Sequence, residues 1–460
     1  MVEATAVRMA PARLFFRTDR LVDDQVRGLG LDTEGGLMGL LAGRGDAVSW
    51  VRHDRGLVGW GRLLEIEARG AARVDDLRAA WREVVYASWW RDPLVRPGTG
   101  PVALGAITFS ARSVQRSVLL VPRVLVGLDE EGAWVTTAAP SGQEPASAAE
   151  VVAEILARRA GGAGAGTAVG TRPTGGAATG ADVTTGARTQ TEYLAELRAV
   201  QEHMRAGEAD KVVIARDVLV TPARHLPTGD LLGRLAHDYP SCWTFSIDGM
   251  VGATPELLVR LRQRRLESRV LAGTARRRPG SAAEREAEAA RLAAWLEADG
   301  KNNREHALAR ASAIEALEPL CSVVEAPERF VLTLPNVLHL ASDISGVVAG
   351  DTGALSLVKA LHPTAAVGGT PTPAAVALID ELEGMDRGRY AGPVGWVDWH
   401  GEGEWCIALR SAELSGPGAG PGAPARVFGG GGIMPDSDPE DELAETRAKM
   451  RPVLSALGAD

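Results

Sequence analysis

Apolar positions in the first third of the chain recur at two spacings, one typical of strands and the other typical of helices. Short apolar runs bounded by polar turns predict strands at Val48–Val51, Leu57–Ala68, Val102–Phe109 and Ser117–Leu128. Apolar residues three and four positions apart predict a helix over Val74–Trp90. No catalytic or metal-binding spacing interrupts this pattern, so residues 1–157 are interpreted as scaffold.

The pattern stops between residues 158 and 190, where glycine, alanine and threonine dominate. Such a segment has too little apolar surface to order itself, which predicts a mobile loop or linker. Strand patterns resume beyond it. Because they occur on both sides, the sequence predicts one compact α+β unit, in which residues 191–460 carry the chemistry.

A lysine begins the first strong strand after the linker. The predicted helix Tyr193–Arg205 leads into KVVIARDVLV at residues 211–220. In this strand Lys211 shares one face with Val213 and Ala215. A lysine here is often a surface residue whose stem covers apolar neighbours. The alternative is a partly desolvated amine that acts as a base.

Further polar residues lie beside turns or within apolar runs. Glu256, between a turn and an apolar run, is either a cap or a carboxyl kept protonated by its neighbours. A strand ending at Gly273–Thr274 would expose N–H and hydroxyl donors, and the small residues of LHPTAAVGGTP, 361–371, suit a pocket wall. Arg410, predicted inside a strand, would need an anionic partner, whereas a lone histidine such as His339 is most often a core residue.

The segment Val427–Met450 combines four glycines with a charged helix. Gly429 to Gly432 predict a loop whose bare backbone a ligand can approach, and Asp438 followed by Pro439 predicts a helix start. The heads of three side chains then share one helix face: Glu442, Glu445 and Lys449. Oxygen ligands beside a cation suit Mg²⁺ with an anionic substrate. Ordinary helix-dipole and i,i+4 pairing explain the same charges equally well.

Composition excludes several classes of partner. The 460 residues carry a net charge of −9 and no basic block, which argues against nucleic acid and anionic membranes. No apolar stretch approaches eighteen residues and no export signal is recognisable, so a cytoplasmic protein is expected. The three cysteines lack a CxxC spacing and are interpreted as reduced, and Glu305–His306 lacks the second histidine of a zinc HExxH motif.

Nine segments between about residues 190 and 455 resemble, in the same order, those of the chorismate-utilising enzymes, most closely the isochorismate synthases. They are KVVIAR, GATPELL, LAGTARR, KNNREH, VLHLASDISG, LHPTAAVGGTP, RYAGPVGW, IALRSAEL, and GGGGI with DELAETRAKM. The resemblance implies a large antiparallel β-sandwich-like core wrapped by helices, with both halves of the chain contributing. It also implies Mg²⁺-dependent conversion of chorismate to isochorismate, in a menaquinone or siderophore pathway.

The resemblance assigns roles to particular residues of this chain. It implies Mg²⁺ ligation by Glu305 and Glu445, with Glu442 acting through water. It implies Lys211 as the base that activates water and Glu256 as the acid that protonates the departing hydroxyl. The substrate-binding residues that it implies are Gly273, Thr274, His339, Ala366, Tyr390, Arg410, Gly430 and Lys449. Asn302 and Asn303 depart from the acidic pattern of the family, and this departure is expected to weaken support of the metal ligands.

Alternatives within and outside enzyme chemistry stay open. Anthranilate synthases resemble this chain but generally carry glutamine where Lys211 stands and threonine where Ala366 stands. Ala366 also argues mildly against a salicylate synthase, which would continue to pyruvate elimination. The third hypothesis is a non-catalytic chorismate-binding homologue. Against it argues the presence of all four proposed catalytic and metal-binding residues, Lys211, Glu256, Glu305 and Glu445. No glutaminase subunit is expected, and a monomer or weak homo-oligomer is expected.

Overall fold

A computed structural model describes residues 13–161, 180–277, 282–333, 337–415 and 422–459. The strands in this part of the chain are β1 (Leu14–Arg20), β2 (Val48–Arg52), β3 (Arg55–Ala68), β4 (Trp89–Arg91), β5 (Val102–Ala106), β6 (Ser117–Asp129), β7 (Gly132–Pro140), β8 (Asp182–Thr185), β9 (Lys211–Thr221), β10 (Trp243–Ile247), β11 (Met250–Thr254), β12 (Leu257–Arg262), β13 (Arg265–Arg276), β14 (Cys321–Glu325), β15 (Phe330–Thr333), β16 (Val337–Val348), β17 (Gly369–Thr370), β18 (Pro393–Asp398), β19 (Gly403–Ile407), β20 (Ser411–Glu413) and β21 (Ala425–Ile433).

The helices are α1 (Asp23–Leu29), α2 (Gly36–Gly39), α3 (Arg73–Ala87), α4 (Ala148–Ala160), α5 (Gln190–Arg205), α6 (Thr228–Asp238), α7 (Ala282–Ala298), α8 (Gly300–Leu317), α9 (Ala354–Leu361), α10 (Thr372–Leu382) and α11 (Pro439–Leu457), with a single 3₁₀ turn at Glu318–Leu320. Among these described helices, none combines the length and the apolar character needed to cross a membrane.

The strands join one curled sheet, almost entirely antiparallel. Hydrogen-bonded neighbours can be followed without a break along the order β9–β21–β20–β11–β10–β2–β3–β6–β5–β18–β19–β12–β13–β16. Strands from before and after residues 158–190 therefore alternate within the same sheet. This confirms the predicted α+β class with an antiparallel core to which both halves contribute.

Apolar side chains from both halves share one core. Leu104 and Leu119 from the N-terminal part pack in the same cluster as Val212 and Trp405, and all four are fully buried. Helices cover the sheet: α11 packs on β21, α10 on β9, and α8 on β13 and β16. The division of the chain at residues 158–190 stays a prediction, and the predicted mobile loop falls largely on residues 162–179, outside the described residues.

Three local predictions were wrong. Gly429 to Gly432 do not form a loop but lie in β21, paired with β9 from Gly429↔Arg216 to Gly432↔Val213. The strand β13 does not end at the Gly273–Thr274 pair, because a bulge there lets it continue to Arg276. Arg410 does not lie inside a strand, since its φ of 47° separates β19 from β20. In each case long-range pairing, which local spacing does not report, decides the backbone path.

Candidate active site

Lys211 begins β9 and points towards α8. Its ammonium Nζ donates to Glu305 Oε1 at 2.5 Å, and the residue is only 8% exposed. A Cβ atom on Gly432 would lie 2.7 Å from Lys211 Cε. The glycine at that position therefore leaves the space through which the lysine side chain passes. A surface lysine with a solvated head is excluded by this burial.

The helix α11 presents its charged residues to the glycine strand. Asp438 caps the helix by accepting from the backbone N–H groups of Glu440 and Asp441, as predicted. A Cβ atom on Gly431 would lie 2.8 Å from a carboxylate oxygen of Glu442. The glycines of β21 are therefore required for close approach rather than for a left-handed backbone, and none of the four has a positive φ.

Lys449 links the same helix to the strand. Its Nζ donates to the carbonyl oxygen of Gly430 at 2.8 Å and pairs with Glu445 Oε1 at 2.7 Å. The predicted i,i+4 pair thus forms, and the same ammonium group also contacts the backbone of β21. Glu442 approaches Gly431, and Glu445 is linked to the same strand through Lys449. The carboxylates and the cation of the C-terminal segment are thus brought together at β21.

Glu256 lines a cavity. The residue is 8% exposed, and its backbone is fixed because its carbonyl oxygen accepts from Ile407 N at 3.1 Å. Burial raises the pKa of its carboxyl to about 7, although the nearby charges of Lys211 and Lys449 act in the opposite direction. A carboxyl with this pKa is half protonated near neutral pH. It can therefore donate a proton, as the sequence suggested.

The cavity beside Glu256 has a volume of about 380 Å³. Its walls are formed by β12 and β13, the small residues of α8, and the turn between α9 and α10 that contains Ala366. Glu256 lines it together with residues 361–366, which are part of the predicted pocket wall, and the substrate-binding role of Ala366 stays a prediction. Glu256 is the one proposed catalytic group among the residues that line this cavity.

The bulge in β13 places Gly273 against α8. Gly273 has a φ of 78°, and a Cβ atom there would lie 3.1 Å from the side chain of Asn302. Across the strand pair, Thr274 faces His339. The side chain of Thr274 lies outside the described part of the structure. Burial and the charges of Arg410 and Lys449 lower the pKa of His339 to about 4, so this histidine is neutral at pH 7.

Asn302 and Asn303 have defined contacts at the start of α8. The amide Nδ2 of Asn302 donates to Asp299, the N-cap of the helix, at 2.8 Å, and Asn303 Nδ2 donates to the carbonyl oxygen of Glu297 at 2.9 Å. Both asparagines thus stabilise the helix end two or three residues before Glu305.

Tyr390 lies over the glycine strand. Its ring stacks on Phe428 with centroids 4.8 Å apart and planes 8° from parallel, and its hydroxyl would be 3.2 Å from a Cβ atom on Gly430. Arg410 is half-buried, and its backbone carbonyl accepts from Ala253 N at 3.2 Å. Tyr390 and Gly430 are therefore brought together, and Arg410 is close enough to His339 for its charge to act on the imidazole.

The carboxylates of the site offer oxygen atoms, which are the ligands that Mg²⁺ prefers. Within the described residues, no group of three histidine, cysteine, aspartate or glutamate side chains is close enough to form a ready cation site. Glu305 and Glu445 nevertheless each hold a lysine ammonium, at 2.5 and 2.7 Å. These side chains offer only oxygen donors and already stabilise positive charge, which fits a hard divalent cation.

Sequence reasoning missed one buried pair next to these residues. Glu383 and Arg387 are 0% and 3% exposed and bond the backbone of β9. Their spacing of four residues was the available signal, within a segment that also carries Asp380, Glu381, Asp386 and Arg389. It could not show which strand the pair contacts.

The curled antiparallel sheet, whose glycine strand is covered by the charged helix α11, has the fold of known chorismate-utilising enzymes. The structure is similar to that of MenF, the menaquinone-specific isochorismate synthase from Escherichia coli, with a TM-score of 0.70 over 98% of this chain and 96% of that chain at 22% identity. It is also similar to anthranilate synthase component I from Streptococcus pneumoniae, with a TM-score of 0.67 over 87% of this chain and 92% of that chain at 19% identity.

The chain belongs to the family described as chorismate binding enzyme, whose model matches residues 44–458. A salicylate biosynthesis isochorismate synthase from Pseudomonas aeruginosa is 33% identical over 438 residues, which cover 89% of this chain and 85% of that protein. The isochorismate synthase EntC of Escherichia coli is 37% identical over 257 residues, which cover 55% of this chain and 63% of that protein. The predicted family is confirmed.

Proposed function

We propose that this protein is an isochorismate synthase that converts chorismate reversibly to isochorismate. The observation that carries the proposal is a buried Glu256 whose pKa is raised to about 7 within electrostatic reach of the buried Lys211. An acid and a base held in one site are what the exchange of a hydroxyl group requires. The isochorismate synthases among the relatives support the same reaction.

In the forward reaction a water oxygen forms a bond to C2 of the ring, the double bonds shift, and the C4–O bond breaks. Lys211, acting as the neutral amine, accepts one proton of the attacking water, and Glu256 gives its proton to the hydroxyl that leaves C4 as water. Hydroxide is a poor leaving group, so this protonation is needed. The two protons balance, and no oxidant or reductant is required.

The remaining residues bind and orient the substrate. Arg410 and Tyr390 hold the pyruvyl carboxylate, Gly430 and Lys449 lie on the side of the ring carboxylate, and Gly273 and Thr274 orient the ring. His339 and Ala366 complete the wall. Glu305 and Glu445 would hold Mg²⁺, with Glu442 acting through water. When bound, the ion would neutralise the ring carboxylate and favour charge build-up in the ring.

The cellular setting forms part of the proposal. Named relatives include menaquinone-specific and salicylate-pathway enzymes, so the product feeds menaquinone or siderophore synthesis. The three cysteines form no disulfide, which supports a cytoplasmic location. Because the proposed reaction uses water rather than ammonia, no glutaminase subunit is needed. We also expect a monomer or a weak homo-oligomer.

Product analysis tests this function. The purified protein is incubated with chorismate and Mg²⁺ near neutral pH, with and without ammonium salts, and the products are separated by chromatography. We expect isochorismate in equilibrium with chorismate, no dependence on ammonium and little salicylate. Salicylate with pyruvate as main products would assign the chain to the lyases, and anthranilate on adding ammonium would assign it to the amino-transferring enzymes.

A further inference from the structure

The buried ion pair of Glu383 and Arg387 has no proposed catalytic role, but it contacts three chain segments that carry proposed site residues. Glu383 is the C-cap residue of α10, and Arg387 lies in the short loop that leads to Tyr390. Arg387 Nε donates to Glu383 Oε1 at 2.6 Å, and Nη2 donates to Oε2 at 2.5 Å. The pair is bidentate, which is the most directional ion pair available to proteins.

One edge of β9 has a gap in its strand pairing. β21 pairs with residues 212–220 along the opposite edge. On the gapped edge β17 pairs with residues 211–212 and β8 with residues 218–221. Between them, residues 213–217 have no strand neighbour on that edge among the described elements. Buried backbone groups in such a gap must find other partners.

The ion pair fills this gap. Ala215 N donates to Glu383 Oε2 at 2.8 Å, and the carbonyl oxygen of Val213 accepts from Arg387 Nη2 at 2.7 Å. These are the groups that a neighbouring strand would otherwise bond. Because Val213 is two residues from Lys211, the pair fixes the backbone close to the proposed base.

Arg387 also contacts the pocket wall through its guanidinium and the tyrosine turn through its backbone. Arg387 Nη1 donates to the carbonyl oxygen of Val367, the residue after Ala366, at 2.9 Å. Its own carbonyl oxygen accepts from Tyr390 N at 3.0 Å. Its guanidinium also lies over the ring of Phe109, 4.3 Å from the centroid, which fixes the plane of the fork.

We propose that Glu383 and Arg387 are positioning residues of the isochorismate synthase reaction, which set the spacing between Lys211, the Ala366 wall and Tyr390. The inference rests on the proposed function. Neither residue touches the substrate; both act through the backbone of β9 and of the two adjoining turns. A planar fork with several donors can bond Glu383, Val213 and Val367 together, whereas a lysine ammonium of similar charge cannot hold this geometry.

The first test replaces the fork and keeps the charge. Arg387→Lys should lower kcat by about 10²-fold, the cost of a misplacement near 1 Å, while KM for chorismate changes much less. Arg389→Lys is the matched control: Arg389 is 4% exposed and bonds Asp248 and the carbonyl oxygen of Arg116 instead of β9. Equal losses of kcat in the two variants would overturn the proposal, because the effect would then follow from burial alone.

A double-mutant cycle with Lys211 separates positioning from general stability. In a Lys211→Ala background there is no base to position, so Arg387→Lys should cost far less kcat than it does in the wild-type background. An undiminished cost would contradict a role through Lys211. Circular dichroism and thermal unfolding of each variant check that all four proteins are folded.

Hydrogen exchange gives a readout that does not need turnover. The peptide that covers residues 213–217 should exchange faster in Arg387→Lys than in wild type, and should not do so in Arg389→Lys. Unchanged exchange in Arg387→Lys would show that the pair does not hold β9 and would overturn the proposal. If exchange changed as expected but the wild-type protein made no isochorismate, the proposed function would be rejected, and the positioning role with it.

Discussion

Glu256 and Glu305 are the same residue type and both interact with Lys211, but their surroundings give them different properties. Glu256 lies beside a largely apolar cavity, where burial raises its pKa to about 7. Glu305 bonds the Lys211 ammonium at 2.5 Å and so keeps a cationic partner. One carboxyl is thus prepared to carry a proton and the other to hold a cation. The comparison shows that environment, rather than residue type, distinguishes the proposed acid from the proposed metal ligand.

Removing the base is expected to have the largest effect. Lys211→Ala should lower kcat by about 10²–10⁴-fold, because general base catalysis typically contributes that much. Chorismate binding, measured by calorimetry, should persist, since Arg410 and Lys449 remain. Lys359→Ala is a suitable control, because Lys359 is a half-exposed lysine paired with Asp75 on the surface. Activity of Lys211→Ala equal to that of the control would remove Lys211 from the mechanism.

Removing the acid should change both the rate and its pH dependence. Glu256→Gln should lose about 10²–10⁴-fold in kcat. In wild type, kcat/KM should fall as the pH rises through about 7, because Glu256 acts in its protonated form and its pKa lies there. The small residual activity of the variant should lack this limb. A wild-type profile that stays flat from pH 6 to about 8 would contradict the assignment of Glu256 as acid.

The raised pKa of Glu256 should also make the free energy of unfolding depend on pH. A folded-state pKa raised from 4.5 to about 7 favours the folded state below pH 4.5, and this contribution is lost as the pH rises through 7. At pH 8 wild type therefore contains a buried charge that glutamine lacks. Glu256→Gln should raise the free energy of unfolding at pH 8 by up to about 3 kcal/mol, with little difference near pH 4. Denaturant titration at the two pH values measures this difference, and an equal effect at both would argue against it.

Loss of one proposed Mg²⁺ ligand, Glu445, should lower activity less than loss of the base or the acid. Glu445→Gln should weaken Mg²⁺ binding by roughly tenfold or more, most visibly in turnover at low Mg²⁺. Calorimetric titration of Mg²⁺ into the protein, in the presence of a chorismate analogue, measures Mg²⁺ affinity independently of activity. Glu440→Gln, on the exposed first turn of the same helix, is the control. Undiminished turnover of Glu445→Gln at limiting Mg²⁺ would exclude Glu445 as a ligand.

The sequence predicted elements whose signal is local. The strands at Val48 and Ser117, the helix over residues 193–205 and the Asp438 cap all appear where apolar spacing or capping residues indicated. The residues of the catalytic set came from a resemblance rather than from spacing. The Glu383–Arg387 contact to β9 was missed because it depends on a strand more than 160 residues away. Likewise, nothing in four consecutive glycines shows that their partner is β9.

The glycines of β21 offer the smallest and sharpest test, because neighbouring positions face different parts of the molecule. A Cβ atom on Gly432 would lie 2.7 Å from Lys211 Cε, whereas one on Gly429 would lie 2.6 Å from the backbone carbonyl oxygen of Thr446 in α11. Gly432→Ala should therefore displace the lysine from Glu305 and lower kcat by less than about 10²-fold, with little loss of stability. Gly429→Ala should push against helix backbone that cannot yield, and lower the free energy of unfolding by about 1–3 kcal/mol. Thermal unfolding and steady-state kinetics on both variants measure the two effects. If Gly432→Ala lost stability and kept its kcat, the strand would serve only to pack α11, and the charged side of the site would not depend on the path of Lys211.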